Sequence, residues 1–359
     1  MGLLTLDDVE RITSVDRSNM LKVVEDFPSQ CREAARLGKD VNLDGLKGIS
    51  AQTRSILVLG MGGSGVSGDI ARTLLEEELK VPFLVNKNYG VPKFVDKETL
   101  VFAVSYSGDT EETLSGFDQA IERGCKIVSI TTGGKLAEKA EGLGLPVVRI
   151  PSGIQPRSAL GYLFIPLLVV LTRLGFVPDK EKEIEEAIEL LHAKSASYGL
   201  ACALAGNPAK ELAARLHGKL PVVYGFSGLT DVVAFRWKCQ FNENSKIPSF
   251  WHVFPELNHN ETVSWEFLAE ITKDFSLILL RDEQEPERVK KRIDITRELI
   301  EHKFGSVETI WAEGKSKLSK MLSLIYLSDF VSVYLAVLYG IDPSPVERIS
   351  VLKKRLAEG

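Results

Sequence analysis

Short apolar segments alternate with helical segments between about residues 50 and 150, and two of the apolar segments end in glycine or serine. Each of these apolar segments is long enough for a buried parallel strand: SILVLG, VPFLV, LVFAVS, CKIVSIT and PVVRI. Helical patterns lie between them, at about residues 64–78, 111–123 and 136–141. Alternation of strand and helix at short intervals predicts a doubly wound parallel sheet with helices on both faces, a three-layer αβα fold.

The same alternation begins again after residue 206, with the apolar segments LPVVYGF, FSLILL and SVETIWA. Helical patterns precede it and close the chain, and the last of them is VERISVLKKRL. We therefore predict two α/β subdomains with helical additions. The predicted division is a helical N-terminal segment at 1–50, a first subdomain at 51–175, a connecting helix at 176–205 and a second subdomain at 206–359.

Composition narrows the class of protein. A chain of 359 residues has room for two or three domains, and its formal net charge of -5 argues against nucleic acid as a partner. Its four cysteines are far apart and form no CxxC pair, so neither a disulfide framework nor a zinc knuckle is expected. The apolar stretch at 159–171 is shorter than a membrane-spanning helix. We expect a cytoplasmic protein with no membrane partner.

The segment GMGGSG, residues 60–65, follows the first predicted strand and opens a helix. Glycines let the backbone approach a ligand closely, and free N–H groups at a helix start attract an anion. A dinucleotide site is the rival interpretation, but the next strand ends in FLVNKN, without the carboxylate that would bind a ribose. A plain tight turn is the structural alternative.

A second candidate loop, SYSGDTEET, follows the strand LVFAV and again precedes a helix. Its hydroxyl groups at Ser105, Ser107 and Thr110, with the N–H groups of the helix start, suit one phosphate group. The alternative is a helix-capping cluster in which Ser107 or Asp109 caps the helix. Both interpretations are compatible with one another.

GMGGSG followed by SYSGDTEET resembles the sugar isomerase (SIS) domain, which binds phosphorylated sugars. The later segment FNENSKIPSFWHVFPELNHNE is similar to the bifunctional phosphoglucose/phosphomannose isomerases of archaea and some bacteria. The resemblance implies two SIS subdomains and a homodimer whose active site is completed across subunits. It also implies cofactor-free and metal-free interconversion of glucose 6-phosphate and mannose 6-phosphate with fructose 6-phosphate, through a cis-enediol.

The resemblance also implies roles for residues of the first subdomain. The residues that would hold the substrate phosphate are Gly63, Ser64, Ser105, Ser107 and Thr110. Arg157, in IQPRSALGY, would stabilise the negative charge of an enediolate. The alternative for Arg157 is an arginine at the surface or at a helix start.

Glu243 in FNENSK matches the base of the family. An isomerase must remove a proton from C2 and return it to C1, and one mobile carboxylate can do both. The alternative is a solvated glutamate at a helix end, paired with Lys246.

His259 in ELNHNE would open the sugar ring, because histidine exchanges protons near neutral pH. Lys353 in the terminal helix would assist it, and the resemblance makes His259 the residue contributed by the neighbouring subunit. For Lys354 we accept the alternative of a cation that complements a helix dipole. Ser344 is the candidate for the small hydroxyl residue near C1 and C2 of the sugar.

Two other functions stay open at this point. One is a sugar-phosphate-binding SIS regulator without catalysis, although the first fifty residues are too short and acidic for a DNA-binding module. The other is an amino-sugar phosphate isomerase, although Met1 and Gly2 provide no terminal catalytic cysteine. A zinc-dependent isomerase is not expected, because His252 and His259 lack the spacing of metal ligands.

Overall fold

The computed structural model of the protein describes residues 6–358. The chain divides into two compact units, each with its own parallel sheet. The first unit comprises Asp26–His192 and Glu313–Ser323. The second unit comprises Ala193–Ala312 with the described parts of residues 1–25 and 324–359.

The strands are β1 Ser55–Leu59, β2 Phe83–Asn86, β3 Thr99–Ser105, β4 Lys126–Thr131, β5 Val147–Arg149, β6 Leu220–Phe226, β7 Phe250–Phe254, β8 Phe275–Arg281 and β9 Ser306–Trp311. The helices are α1 Val9–Val15, α2 Met20–Glu25, α3 Phe27–Asp40, α4 Gly62–Leu75, α5 Glu111–Glu122, α6 Gly134–Gly142, α7 Leu160–Arg173, α8 Glu181–Tyr198, α9 Pro208–Leu216, α10 Asp231–Gln240, α11 Ala269–Thr272, α12 Glu287–Ile300, α13 Lys317–Leu338 and α14 Glu347–Glu358.

The first unit contains a five-stranded sheet in the order β2-β1-β3-β4-β5, with every neighbouring pair parallel. Its central strands β1 and β3 are buried at every residue, as continuous apolar segments require. Leu57 of β1 lies beside Val101 of β3, and both belong to a core cluster with Phe117 of α5. Burial of each such side chain stabilises the fold by roughly 1.5–3 kcal/mol.

The second unit contains a four-stranded parallel sheet in the order β7-β6-β8-β9. Together the two sheets confirm the predicted α/β fold with two doubly wound parallel sheets. The strands predicted from LPVVYGF, FSLILL and SVETIWA are confirmed as β6, β8 and β9.

Three elements of the second unit escaped prediction: strand β7, helix α9 and the four-residue helix α11. Strand β7 lies at the edge of the sheet, where Phe250 is 54% exposed. Its sequence FWHVF is rich in apolar and aromatic residues, a strand signal that could have revealed it. Helix α9 is short and begins at Asn207, whose side chain accepts hydrogen bonds from two backbone N–H groups of the first turn. Asn207 followed by Pro208 is the start signal that could have revealed this helix.

The helical segment predicted at 1–50 contains α1, α2 and α3, and its residues 1–5 lie outside the described residues. Helix α3 packs on α7 within the first unit, where a β-carbon on Gly38 would lie 2.9 Å from Cβ of Val169. Residues 26–50 are thus part of the first compact unit. The domain boundaries expected from sequence otherwise stay a prediction.

Helix α13 is long and apolar enough to cross a membrane by length and composition alone. However, 94% of its most apolar 18-residue window is buried inside the protein. A helix that is apolar on all sides can also be the central helix of a packed core. The extent of burial of α13 agrees with that interpretation.

Strand order decides where the ligand-binding loops meet. In the first sheet the chain runs from β1 outward to β2 and then crosses to β3, so the direction of winding reverses between β1 and β3. Ligands of open α/β sheets bind beyond the carboxyl ends of the strands at such a reversal. The order differs from the 3-2-1-4-5-6 order of dinucleotide-binding folds. Both predicted phosphate loops follow these two strands.

Candidate active site

The first loop, between β1 and α4, depends on glycines for its path. A β-carbon on Gly63 would lie 2.8 Å from the carbonyl oxygen of Pro156, and one on Gly65 would lie 2.7 Å from the carbonyl oxygen of Gly60. These distances are shorter than a β-carbon tolerates, so glycine is required at both positions. Ser64, which stands between them, is buried at the start of α4.

The second loop, between β3 and α5, brings two hydroxyl groups together. The Ser105 hydroxyl donates a hydrogen bond to Oγ1 of Thr110 over 3.0 Å and accepts one from the Gly108 N–H over 3.1 Å. The exposed Ser107 accepts a hydrogen bond from the Asp109 N–H over 3.2 Å. The three predicted hydroxyl groups therefore lie on one tight turn directly before α5.

Gly108 makes this turn possible. Its φ of +77° is in the left-handed region, and a β-carbon would lie only 1.9 Å from the carbonyl oxygen of Gly133. A side chain at this position would push apart the loops after β3 and β4. Gly108 was not among the residues predicted for the site, although a glycine between hydroxyl residues is a recognisable turn signal.

The capping alternative for this turn is wrong for Ser107 and Asp109. The N-cap residue of α5 is Thr110, and its side chain makes no capping hydrogen bond; the Thr110 hydroxyl accepts a hydrogen bond from Ser105. Uncapped N–H groups at a helix start carry partial positive charge. The turn thus combines hydroxyl groups with a helix start that suits an anion.

Ser64 and the second loop are in direct contact. The N–H of Tyr106 donates a hydrogen bond to Oγ of Ser64 over 3.3 Å. The Tyr106 hydroxyl in turn accepts one from the Ile154 N–H over 3.1 Å. Burial raises the pKa of Tyr106, so its hydroxyl stays protonated at neutral pH. Tyr106 thereby joins both loops to the segment that leads to Arg157.

Arg157 lies in the 3₁₀ turn Pro156–Ser158 and is only 3% exposed. This burial excludes the alternative of a surface arginine. Because the preceding Pro156 contacts Gly63, the turn lies against the start of α4. The structure thus brings together the first-unit residues that were predicted to bind substrate or its intermediate.

Glu243 lies in a π-helical turn, Phe241–Ser245, that continues α10. Such turns are rare and frequently occur at functional sites. Two neighbours fasten the turn to α13: the Asn244 side chain donates to Oγ of Ser332 over 2.9 Å, and the Ser245 hydroxyl donates to the carbonyl oxygen of Ser332 over 2.6 Å. The ammonium of Lys246 donates to the backbone carbonyl oxygens of Glu243 and Pro343.

A buried ion pair supports this turn from α10. The guanidinium of Arg236 donates to both carboxylate oxygens of Asp329, over 3.0 and 2.9 Å, and Gln240 donates to the same carboxylate over 2.7 Å. All three side chains are buried. Charged residues scattered along a sequence give no sign of such pairing, so this support was missed.

A cavity of about 630 Å³ lies beside Glu243 in the second unit. Its lining includes Asn242, Glu243, Lys246, Ile341, Val346 and Ile349. Ser344 is buried next to this lining but is not part of it, and its N–H donates to the Asp342 carboxylate over 3.0 Å. The residues before and at the start of α14 therefore form one wall of the cavity.

Lys353 is exposed on α14, four residues after Ile349. Residues four apart share a helix face, so Lys353 lies on the side of α14 that begins at the cavity. Lys354 lies on a neighbouring face, with its ammonium 3.8 Å from the Glu358 carboxylate. The choice of Lys353 over Lys354 stays a prediction.

His259 is exposed at the end of the 3₁₀ turn Glu256–His259, beyond the carboxyl end of β7. Glu243 lies near the amino ends of the strands of the same sheet. Helix α10 follows β6 and runs back toward the beginning of β7, and Glu243 lies just after α10. The five residues of β7 alone span about 17 Å. The structure does not bring His259 and Glu243 of one chain together.

Residues 6–358 present no arrangement typical of a metal centre. No three His, Cys, Asp or Glu side chains in this part of the chain cluster closely enough to hold a metal ion. His252 has one acidic neighbour, with Nε2 3.9 Å from the Glu261 carboxylate.

Comparisons with known proteins agree with the fold of two parallel sheets. A family described as "SIS domain" matches residues 50–165, and one described as "Bacterial phospho-glucose isomerase C-terminal SIS domain" matches residues 205–356. A solved structure of a glucose-6-phosphate isomerase like protein from Thermus thermophilus has a TM-score of 0.65 at 20% identity, over 95% of this chain and 98% of that one. At this identity the likeness shows the fold alone.

Two curated relatives are similar over almost their whole length, and both are named "Bifunctional phosphoglucose/phosphomannose isomerase". The protein of Caldicellulosiruptor bescii is 44% identical, over 94% of this chain and 99% of the relative. The protein of Aquifex aeolicus is 43% identical, over 93% of this chain and 97% of the relative. The two SIS-type sheets, the hydroxyl loops and this similarity together place the chain in the family of bifunctional phosphoglucose/phosphomannose isomerases.

Proposed function

We propose that the protein is an aldose–ketose isomerase that interconverts glucose 6-phosphate and mannose 6-phosphate with fructose 6-phosphate. The observation that carries this proposal is the 44% identity to a bifunctional isomerase over 94% of the chain. The reaction passes through a cis-enediol or enediolate, which is common to all three sugars because it has no stereocentre at C2. One protein can therefore accept both aldose epimers.

The substrate phosphate binds at the first-unit loops. Support comes from the meeting of Ser105 and Thr110 on one turn, the contact of that turn with Ser64, and the uncapped start of α5. Ser107 and the backbone of Gly63 complete the proposed set. Hydroxyl groups and backbone N–H groups bind a dianion through hydrogen bonds, and a helix start adds favourable electrostatics.

Glu243 transfers the proton between C2 and C1, and Arg157 stabilises the charge that develops on the enediolate oxygen. Support for Glu243 comes from the π-helical turn and the cavity beside it. Support for Arg157 comes from its burial, since a guanidinium in a water-poor setting stabilises negative charge more strongly than one in water. Ser344 lies next to the lining of the cavity, where a small residue leaves room for either C2 epimer.

His259 and Lys353 open the sugar ring before proton transfer. The ring closes through a hemiacetal, so opening needs a proton removed from the C1 hydroxyl and one delivered to the ring oxygen. Histidine exchanges protons near neutral pH and suits this step. In this proposal the protein is a homodimer in which His259 of each subunit serves the site of its partner. The separation of His259 from Glu243 within one chain supports this arrangement.

Subunit mixing tests the shared site. Glu243→Gln and His259→Ala dimers, each nearly inactive, are mixed, dissociated and allowed to reassociate. Hybrid dimers regain one intact site, so about a quarter of wild-type activity is expected, since half of the dimers are hybrids with one of two sites intact. The unmixed variants carried through the same treatment are the control. No recovery from a verified hybrid population contradicts a site shared between subunits.

The reaction itself is tested with a coupled assay that detects fructose 6-phosphate. We expect turnover of both glucose 6-phosphate and mannose 6-phosphate, with unchanged rates after prolonged treatment with a chelator. A protein that binds both sugars without turnover would be a regulator instead, and turnover of amino-sugar phosphates alone would indicate the other alternative. Loss of activity with chelator and its return with zinc would contradict the metal-independent mechanism. The cytoplasmic location stays a prediction.

A further inference from the structure

The side chain of His259 is not held by its own contacts. Within residues 6–358 it makes no hydrogen bond and no ion pair with another residue, and it lies exposed between two short 3₁₀ turns, Glu256–His259 and Glu261–Trp265. A group that exchanges protons with a bound sugar must be placed within about 0.5 Å of its working position. Within one chain, the residues on either side of His259 are therefore the ones that can fix its position.

Asn258, the residue before His259, binds to α12 through its side chain. Its side-chain amide donates to Oγ1 of Thr296 over 2.7 Å, and its carbonyl oxygen accepts from the guanidinium of Arg292 over 3.4 Å. Thr296 is buried on α12. Asn258 thus connects the first 3₁₀ turn to a packed helix.

Glu261, two residues after His259, binds to the sheet through its carboxylate. Its carboxylate accepts a hydrogen bond from the hydroxyl of Tyr224, a residue in the middle of β6 that is only 1% exposed. The indole N–H of Trp265 donates to the same hydroxyl over 3.0 Å, so the Tyr224 hydroxyl both donates and accepts. Burial raises the pKa of Tyr224, and the hydroxyl therefore remains a donor at neutral pH.

The aromatic ring of Trp265 completes this anchor. It packs on Phe304 with ring centroids 4.4 Å apart, and its edge faces Phe275 at the start of β8. Both ends of the second 3₁₀ turn are thus tied to the interior of the unit through Tyr224. A buried hydroxyl with two partners specifies geometry because any displacement leaves a polar group unpaired.

We propose that Tyr224 and Glu261, together with Asn258, are positioning residues that hold His259 where it opens the sugar ring. The inference rests on the proposed role of His259. Tyr224 reaches no substrate atom in this scheme, and its effect passes through Glu261 to the turn that carries His259. Displacement of a catalytic group by about 1 Å costs roughly 10²-fold in rate.

The test isolates ring opening from proton transfer. In the Glu243→Gln background, ring opening and reclosure still interconvert the two anomers of glucose 6-phosphate, and exchange NMR measures that rate. Adding Tyr224→Phe removes one oxygen atom, and we expect the anomerisation rate to fall at least about 10-fold, with substrate affinity within 2-fold. Anomerisation within 2-fold of the background would overturn the proposal.

Matched controls separate positioning from general damage. Tyr334→Phe also removes a buried hydroxyl, which donates to the carbonyl oxygen of Tyr198 in the same unit, and it should leave anomerisation unchanged. Glu261→Gln keeps an acceptor for Tyr224, whereas Glu261→Ala does not, so the glutamine variant should retain more activity. These two variants carry the test if Tyr224→Phe does not fold, and equal rates for them would overturn the proposal.

The double variant Glu243→Gln/His259→Ala shows which proposal fails. Loss of anomerisation in this double variant supports ring opening by His259. If Tyr224→Phe then leaves the anomerisation rate unchanged, the result contradicts the positioning proposal and leaves the role of His259 intact. Anomerisation that survives the loss of His259 contradicts the proposed role of His259 itself and removes the basis of the positioning proposal.

Discussion

Glu243→Gln is expected to abolish isomerisation while leaving the sugar phosphate bound. Glutamine has nearly the same shape as glutamate but cannot accept the proton from C2, so the loss should be about 10²–10⁴-fold in kcat. The phosphate loops belong to the first unit and are unchanged, so affinity for fructose 6-phosphate should stay within a few-fold. Exchange of the C2 proton with deuterated solvent, followed by NMR, measures the loss directly.

The matched control is Glu122→Gln, which makes the same chemical change at an exposed carboxylate at the end of α5. It should retain full activity and full proton exchange. Wild-type exchange at C2 in the Glu243→Gln variant would remove Glu243 from the mechanism. Loss of binding together with loss of exchange would instead assign Glu243 to substrate affinity.

Arg236→Met is expected to cause the largest loss of stability. The substitution leaves the Asp329 carboxylate buried without its cation, which costs roughly 3–5 kcal/mol in the free energy of unfolding. Methionine fills a similar volume, so the effect arises from the unpaired charge and not from a cavity. Urea denaturation followed by tryptophan fluorescence measures the loss, and Trp237, the next residue in α10, is one of the four tryptophans that contribute to the signal.

The double variant Arg236→Met/Asp329→Leu separates charge from packing. Removing both partners eliminates the buried charge, so most of the lost stability should return. A loss below about 1 kcal/mol for Arg236→Met would contradict the view that this ion pair supports α10. A double variant that is no more stable than Arg236→Met would attribute the effect to shape instead.

The sequence predicted the first unit well because its signals are local. Strands β1 and β3 are buried throughout, so their apolar segments contrast sharply with the polar loops that follow. Those loops combine glycines with hydroxyl groups, and parallel strands bring their carboxyl ends to one edge of the sheet. The proximity of Ser64 to the Ser105–Thr110 turn follows from the adjacency of β1 and β3 in the sheet.

The second unit was harder to predict because its organisation is not local. The ion pair of Arg236 with Asp329 joins residues 93 positions apart. His259 and Glu243 are only 16 positions apart in the sequence, yet they lie at opposite ends of the strands of one sheet. Motif similarity names both residues as candidates but carries no information about that separation.

The π-helical turn has a consequence for how much of the protein moves during a turnover. Ser332 holds the turn through two hydrogen bonds, from the side chains of Asn244 and Ser245, so the two residues that follow Glu243 are fixed to a long helix. Hydrogen passes between adjacent carbons of one sugar, and rotation of the Glu243 side chain covers that short distance. The Glu243 side chain is therefore expected to move during turnover while the π-helical turn stays fixed. The backbone amides of Asn244 and Ser245 should exchange with deuterated water at the same slow rate in the resting protein and at full turnover.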